Sequence, residues 1–361
     1  MSDDELPFPL LFAQPVDVEP RDFDLTTALA RLRQTPPTGR RDQVLIFTIR
    51  TDDHADAVML ELMSRGVPVR RVNVDGFPDL LGLTVEFTGA TQPRAILRSP
   101  SGEILLDEIR TVWMRRPIIN LLPSGAAHDA AVALARSEAE TALRGVMSLL
   151  GDALWVNPLA SLWAAESKVR QLRVAAAEGL TIPRTLVTSD PDRALEFYRA
   201  CAGKLIVKAF RGQVGSRLRF QMIYTSRVLP HHLDQLDRIR NAPCIFQEEV
   251  AKAAELRITI IGRRIFPVEI RSESNSLDWR DERARISYRP TTLPPAVEVA
   301  CWKLIHHWQL ASAAIDMIRR PDGEYVFLEI NAHNDWLWLQ RITDLPMIAA
   351  MADLLDSRAV P

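Results

Sequence analysis

Hydrophobic and polar positions follow no clean period through residue 42, and then the chain changes character. Residues 42–50, DQVLIFTIR, form an apolar run suited to a buried strand. Thr51, Asp52 and Asp53 offer caps for a helix over 54–65, which Gly66 stops. Residues 67–75, VPVRRVNVD, read as the next strand, and strand–helix–strand predicts a small parallel sheet. LTVEFT (83–88), RAILRS (94–99) and TVWMRRP (111–117) supply further strands, and 128–150 is a long helical pattern. WVNP (155–158) marks a boundary. A helix is expected over 162–178, closed by Gly179, then a strand in IPRTLVT (182–188) and a helix start at Ser189-Asp190-Pro191. KLIVKAF (204–210) is an apolar strand running into RGQVGSR, a loop with Gly212 and Gly215. Residues 245–250, 255–262 and 264–273 have the pattern of successive antiparallel strands. A helix comes next over 297–308, and SAAIDMIRR–PDG–EYVFLEIN (312–331) reads as a hairpin. The expected division is an extension at 1–42, a first α/β domain at 43–155, a central domain at 156–245 and a C-terminal domain at 246–361.

Composition narrows the class. Over 361 residues, hydrophobic residues make up 47% and charged residues 25%, an ordinary soluble globular mix long enough for two or three domains. Lys plus Arg (44) nearly balances Asp plus Glu (46), so the global basic excess of a dedicated nucleic-acid binder is missing. The acidic start, MSDDELPFPL, lacks the basic region and apolar run of a secretory signal, and no stretch reaches the ~18 apolar residues of a membrane span. Three cysteines, Cys201, Cys244 and Cys301, carry no metal-type spacing and read as core residues of a reducing compartment. The expectation is a cytoplasmic protein with no nucleic-acid or membrane partner.

The hairpin carries the first candidate chemistry. Glu329 and Asn331 are two apart and share one sheet face. Asp316 joins them if a four-residue loop over 320–323 closes the hairpin; a three-residue Pro-Asp-Gly loop turns it away unless a bulge intervenes. Two carboxylates and an amide oxygen on one face suit Mg²⁺, a hard ion that takes oxygen ligands and phosphates. Lys208 ends an apolar strand before the glycine-containing loop, where an ammonium can meet a phosphate, and Lys168 lies in SKVRQLRVAAAEG. Gln247-Glu248-Glu249-Val250 can offer backbone groups to a purine edge and a carboxylate to ribose.

The order of these pieces resembles the ATP-grasp superfamily: lysine helix, strand–Lys–Gly loop, QEEV, ELRI, then Asp…Glu-x-Asn. Within it the chain is similar to the microviridin-type graspetide (ω-ester-containing peptide) synthetases over about residues 43–355. The sharper marks are VWMRRP, ELRITIIG with PVEIRSE, SLDWR (276–280) and the tail PDGEYVFLEINAHNDWLWLQRITDLPM. The resemblance implies an α/β (α+β) ATP-grasp fold behind a small α/β pre-ATP-grasp domain. It puts Lys168 and Lys208 on ATP phosphates under the Gly212–Gly215 loop, Gln247, Glu248 and Val250 at the adenine hinge, and Glu255 at the ribose. Arg257 and Arg271 would face the phosphates and the acyl phosphate, and Asp316, Glu329 and Asn331 would hold Mg²⁺. Arg115 and Arg116 become candidates to grip the substrate acid, and Asp278 and Arg280 to line the core-peptide site. Where relatives commonly continue the metal strand with a Pro–Asn–Gly-type turn, this chain has Ala332-His333-Asn334-Asp335-Trp336.

The function so implied is ATP- and Mg²⁺-dependent macrocyclisation of a ribosomally made precursor peptide (leader plus core) by a homodimer. Asp or Glu side chains would be activated as acyl phosphates and captured by Ser or Thr hydroxyls, or by Lys amines. The alternatives are an ATP-grasp ligase joining an amino acid or amine to a peptide or small acid, and a nucleotide-binding regulator without turnover.

Overall fold

A computed structural model describes Phe8 and residues 13–15, 41–89, 93–116, 130–210, 213–216, 219–273, 277 and 286–356. The first strand, β1 (Ala13–Pro15), belongs to the extension. Then β2 (Gln43–Thr48) runs buried at all six positions, as a central strand of a parallel sheet must when both faces are covered. Asp52 caps α1 (Asp53–Ser64) by accepting from His54 N at 3.2 Å, and the chain leaves the helix through Gly66 at φ +69°. After β3 (Val69–Asn73), a separate antiparallel sheet is made of β4 (Gly82–Glu86), β5 (Arg94–Ser99) and β6 (Gly102–Leu105). With β7 (Ile109–Met114) and β8 (Leu154–Val156) the parallel sheet has the order β3-β2-β7-β8. The small parallel sheet expected from strand–helix–strand is therefore present, and α2 (Ala130–Ser148) precedes its last strand.

The helix expected over 162–178 is two helices, α3 (Leu159–Ala165) and α4 (Lys168–Ala177). Ser167 breaks the run because its hydroxyl accepts from Arg170 N, at 3.4 Å, and so begins a new helix. The third sheet, in the order β13-β10-β14-β9, contains β9 (Thr185–Thr188), β10 (Leu205–Lys208), β13 (Ser226–Arg227) and β14 (Cys244–Glu248), with α5 (Pro191–Ala200) between β9 and β10. Asp190 caps α5 and Pro191 opens it, as the Ser-Asp-Pro signal required. Residues 245–250 thus do not pair with 255–262, contrary to the run of successive strands expected there. The hairpin β11 (Gln213–Ser216) and β12 (Arg219–Ile223) forms a fourth, small sheet with β1.

The last sheet is antiparallel, in the order β17-β16-β15-β18-β19. Its strands are β15 (Ala254–Ile261), β16 (Arg264–Ser272), β17 (Ile286–Pro290), β18 (Ser312–Arg319) and β19 (Tyr325–Asn331); α6 (Pro295–His307), α7 (Leu337–Thr343) and α8 (Met347–Leu355) complete the chain. Helix α8 packs on α1, so the C-terminal half closes against the first sheet through Leu62, Trp336, Met347 and Met351. Asn157, in the expected boundary, locks the same joint. Its amide oxygen accepts from Ala311 N and Ser312 N, and its nitrogen donates to the carbonyls of Ser312 and Ala332. All four amide hydrogen bonds are made at a buried position, where an unmet one is costly. Among the described residues no helix is long and apolar enough to cross a membrane.

Candidate active site

Ladder register decides which side chains share a face. Met317 pairs with Phe327 and Asp316 with Glu329, so Leu328 is an extra residue between them. The hairpin closes tightly, with Arg320 N donating to Glu324 O at 2.8 Å around Pro321-Asp322-Gly323. The short loop is therefore the one present, and the bulge returns Asp316 to the face of Glu329 and Asn331. Asn331 Nδ2 lies 2.8 Å from Asp316 Oδ2 and 3.2 Å from Glu329 Oε1. Turning that amide over puts Oδ1 in place of the nitrogen, which makes three oxygen donors around one point. The donor set fits Mg²⁺.

Two cations already balance these acids. Arg257, on β15 opposite Asp316, donates through Nη1 to both Asp316 oxygens (3.0 and 2.8 Å) and through Nη2 to Asp335 O. Lys168 Nζ meets Glu329 Oε2 at 2.5 Å. That contact is built from α4: Gln171, one turn on from Lys168, donates to Ile330 O and accepts from Ile330 N, clamping the helix to β19 beside Glu329.

The other sequence candidates divide. Lys208 is the last residue of β10, and Gly215 sits in β11, whose hairpin partner is β12. The Glu248 carboxylate accepts from Arg184 N at 3.1 Å, Gln247 is buried with its amide on Thr185 Oγ1, and Val250 lies just past β14. Glu255 takes Lys252 Nζ at 2.6 Å on the face shared by Arg257. Arg271 is not brought to this cluster. Glu269 pairs with Leu256 in the ladder, so Glu269 and Arg271 project from the face opposite Arg257. There Arg271 and Arg319 both hold Glu269, at 2.6 Å each. Gly212, Asp278 and Arg280 lie outside the described residues. Burial pushes the thiols of Cys244 and Cys301 up to about 12, which removes them as nucleophiles near neutral pH.

The first-domain arginines have other partners than those expected. Arg115 has a fully buried side chain; its guanidinium lies 3.4 Å from Asp52, bonds His333 O at 2.7 Å and pairs with Asp335. Arg116 donates to Asp335 Oδ1 at 3.0 Å and lies 3.6 Å from Asp52. From the other side His54 Nε2 accepts both Trp336 N and Leu337 N, at the start of α7. Asp52, Asp53 and His54 bring ligand atoms within 4.8 Å of one another, yet Asp52 is committed to the helix cap and the arginines, and His54 Nε2 to two backbone donors. This junction grips the loop that leaves the metal-type strand. Burial would raise the Asp52 carboxyl, but Arg115, the His54 hydrogen bond and Arg116 outweigh it and hold the group well below the usual carboxylate range. Asp335 behaves alike under Arg115, Arg116 and His54. So strong an acid is a poor general base, which assigns Asp335 to positioning.

Comparison with known proteins places this geometry. Residues 43–162 match the family described as the MvdD pre-ATP grasp domain. Macrocyclase MdnC from Microcystis aeruginosa MRC, solved with precursor peptide MdnA, is 30% identical; it superposes with a TM-score of 0.77 over 88% of this chain and 100% of its own. The chain belongs to the ATP-grasp macrocyclase family. A second similar structure, the Chryseobacterium gregarium RiPP-associated ATP-grasp ligase in complex with ADP and a leader and core peptide, gives a TM-score of 0.78 at 30% identity over 88% of this chain and 97% of its own. More distant is the ribosomal protein bS6–L-glutamate ligase of Salmonella paratyphi B, 23% identical over 211 residues, 57% of this chain and 68% of the relative.

In this macrocyclase the His54 joint has a pH signature. Burial, then Arg115, lowers the His54 pKa, against the opposing hydrogen bond to Asp52. An imidazole depressed in the folded state binds fewer protons than in the unfolded chain, so stability falls as pH drops below about 6.5 and levels off under the folded pKa. Thermal melts across pH 7.5 to 5.5 are expected to show this loss in the wild type and a shallower one in His54→Asn. Equal slopes would mean that His54 contributes nothing to the pH dependence.

Proposed function

We propose that the protein is an ATP-dependent peptide macrocyclase that activates Asp or Glu side chains of a ribosomally made precursor as acyl phosphates. The observation that carries the reading is the convergence of Asp316, Glu329 and Asn331, with Lys168 and Arg257 as counter-ions, in a chain of this family. Residues 43–155 serve as the pre-ATP-grasp domain, and 156–245 with 246–361 as the two halves that enclose nucleotide.

A carboxylate is a poor electrophile. Its oxygen attacks the ATP γ-phosphorus, ADP departs, and the acyl phosphate that results has a good leaving group. A Ser or Thr hydroxyl then attacks the acyl carbon, the C–O bond to phosphate breaks, and the hydroxyl proton leaves with phosphate or solvent; a Lys amine gives the amide instead. Phosphoryl transfer asks the protein for position and charge more than for covalent help. Asp316, Glu329 and Asn331 would hold Mg²⁺, which neutralises phosphate charge when bound. Lys168 and Lys208 would contact phosphates, with the hairpin that carries Gly215 covering them and Gly212 assigned to the same role. Gln247, Glu248 and Val250 lie along the adenine, and Glu255 at the ribose. Arg257, held on Asp316, would face the phosphates and the acyl phosphate. Arg115 and Arg116 act through Asp335 on the loop after β19, and Asp278 and Arg280 are assigned, on the family resemblance alone, to the peptide site.

The test is mass spectrometry of the short peptide encoded beside the gene, incubated with enzyme, ATP and Mg²⁺. One water is lost per crosslink if the reading holds. A glutamyl gain, as a ligase of amino acids would give, contradicts it. Arg280→Ala is expected to lower dehydration at least tenfold while ADP affinity, read by calorimetry, changes less than twofold, since the role proposed for Arg280 is a bidentate grip on carboxylate and not on nucleotide, about 1.4 kcal/mol per tenfold. Normal dehydration by this variant would take the DWR segment out of the active site.

A further inference from the structure

The extension has no part in the chemistry above, yet two pieces of it are docked. Strand β1 adds antiparallel to the edge of β12 away from β11, with Ala13 opposite Ile223, Gln14 opposite Met222 and Pro15 opposite Gln221. Five residues before β1, Phe8 is fully buried. Its ring centroid stands 6.2 Å from that of Phe246 at 50°, inside the central-domain core with Leu205, Val207, Leu236 and Ile239. The core of one domain is therefore completed by a side chain from a segment whose strand ends at Pro15, while the first domain begins only at β2, from Gln43.

Edge-strand addition together with an aromatic anchor in a pocket is a general way for domains to take extended peptides. The main chain supplies affinity, and the pocket supplies specificity. A three-residue ladder and one ring are a small contact, but covalent attachment raises the local concentration of the segment to roughly millimolar, enough to keep a weak site filled. Pro15 fits this arrangement, since a residue without an N–H ends a ladder at little cost.

We propose that Phe8 and β1 form a peptide ligand carried in cis. They fill a strand-addition site on the outer edge of β12 and an aromatic pocket beside Phe246. The partner class of that site is an extended peptide with an aromatic residue five positions ahead of a three-residue strand. In the full chain the occupant is the protein's own N-terminal segment, which must be displaced before a second peptide can bind there. Gly215 lies in the same small sheet, but the docking claim does not rest on its assignment to the nucleotide.

The experiment uses a fluorescent synthetic peptide of residues 5–17, read by anisotropy without nucleotide, so its outcome is separate from that of the catalytic reading. A chain lacking residues 1–17, checked for folding by circular dichroism, is expected to bind the peptide saturably and at least tenfold more tightly than the full chain. The same peptide carrying Phe8→Ala should lose at least tenfold, as loss of a buried aromatic anchor does. Full-length Phe8→Ala protein, whose arm stays attached, should admit the wild-type peptide, and it serves as the test if the truncated chain does not fold. Binding that is equal for the full and shortened chains, or indifferent to Phe8 in the peptide, overturns the proposal. So does a full-length Phe8→Ala protein that excludes the peptide.

Discussion

Glu329→Ala is expected to cut peptide-dependent ATP turnover by on the order of 10³-fold, the size of effect seen when one preorganised electrostatic group is removed from a charged transition state. The substitution deletes one of three converging donors and leaves Lys168 without its 2.5 Å carboxylate partner. Glu329→Gln keeps the shape but not the charge and should behave nearly as badly, because Mg²⁺ and phosphate chemistry respond to the ligand's charge. The fold should persist. Glu329 is partly exposed, and β19 is held by its ladder to β18 and by Gln171. Coupled-assay ATP turnover with circular dichroism on the same sample separates the two effects. Turnover within a few-fold of wild type in a folded Glu329→Ala protein would contradict the metal assignment.

Arg115→Ala should do the reverse, costing stability first. Its guanidinium is the buried charge that satisfies Asp52, Asp335 and the His333 carbonyl at once. Removing it leaves the buried Asp52 with Arg116, at 3.6 Å, as its nearest remaining cation besides its Thr48 and His54 hydrogen bonds, and breaking a buried pair from one side costs about 3–5 kcal/mol. Because Asp52 is held below the usual carboxylate range, its contribution is present at pH above about 4 and fades only as pH falls toward the depressed folded value. The deficit of Arg115→Ala relative to wild type should therefore be full at neutral pH. Arg115→Lys should recover little, since one ammonium cannot span three acceptors. Urea midpoints at pH 7 measure this. A shift worth under about 1 kcal/mol would mean that the junction is not the clamp described, since exposed pairs have that value.

Local patterning made much of the fold legible. The apolar run at 42–50, the Asp52 cap and Gly66 yielded β2 and α1 almost to the residue, because each signal is a short-range steric or hydrogen-bonding preference. Glu329 and Asn331 were legible for the same reason, as period two needs no tertiary knowledge. Asp316 was not settled. Its face depends on whether Leu328 bulges, and a bulge is selected by packing on both sides of the sheet rather than by the turn. Ser167 was a missed signal: a Ser three residues ahead of the Arg170 amide can start a new helix inside a helical pattern. Arg271 was misplaced relative to Arg257 because face assignment across β15 and β16 needs the register between strands, which neither strand carries alone. The junction of Asp52, His54, Arg115 and Asp335 was out of reach in a more basic way. His54 and Trp336 are 282 residues apart, and nothing in either neighbourhood announces the other. Two adjacent arginines read as a grip for substrate, whereas the buried Asp52 and the half-exposed Asp335 of this same chain are their acids.

In the proposed reaction a peptide carboxylate is activated by phosphorylation and then captured by another side chain of the same peptide. Heavy-oxygen labelling tests it most directly. The adjoining precursor peptide is prepared with its Asp and Glu carboxylates labelled, incubated with enzyme, ATP and Mg²⁺, and both the peptide and the inorganic phosphate are weighed by mass spectrometry. Because the carboxylate oxygen that attacks phosphorus leaves with it, one labelled oxygen should appear in phosphate for each water lost by the peptide. Unlabelled phosphate beside a dehydrated peptide, or labelled phosphate beside a peptide that has gained an amino acid, would contradict the account.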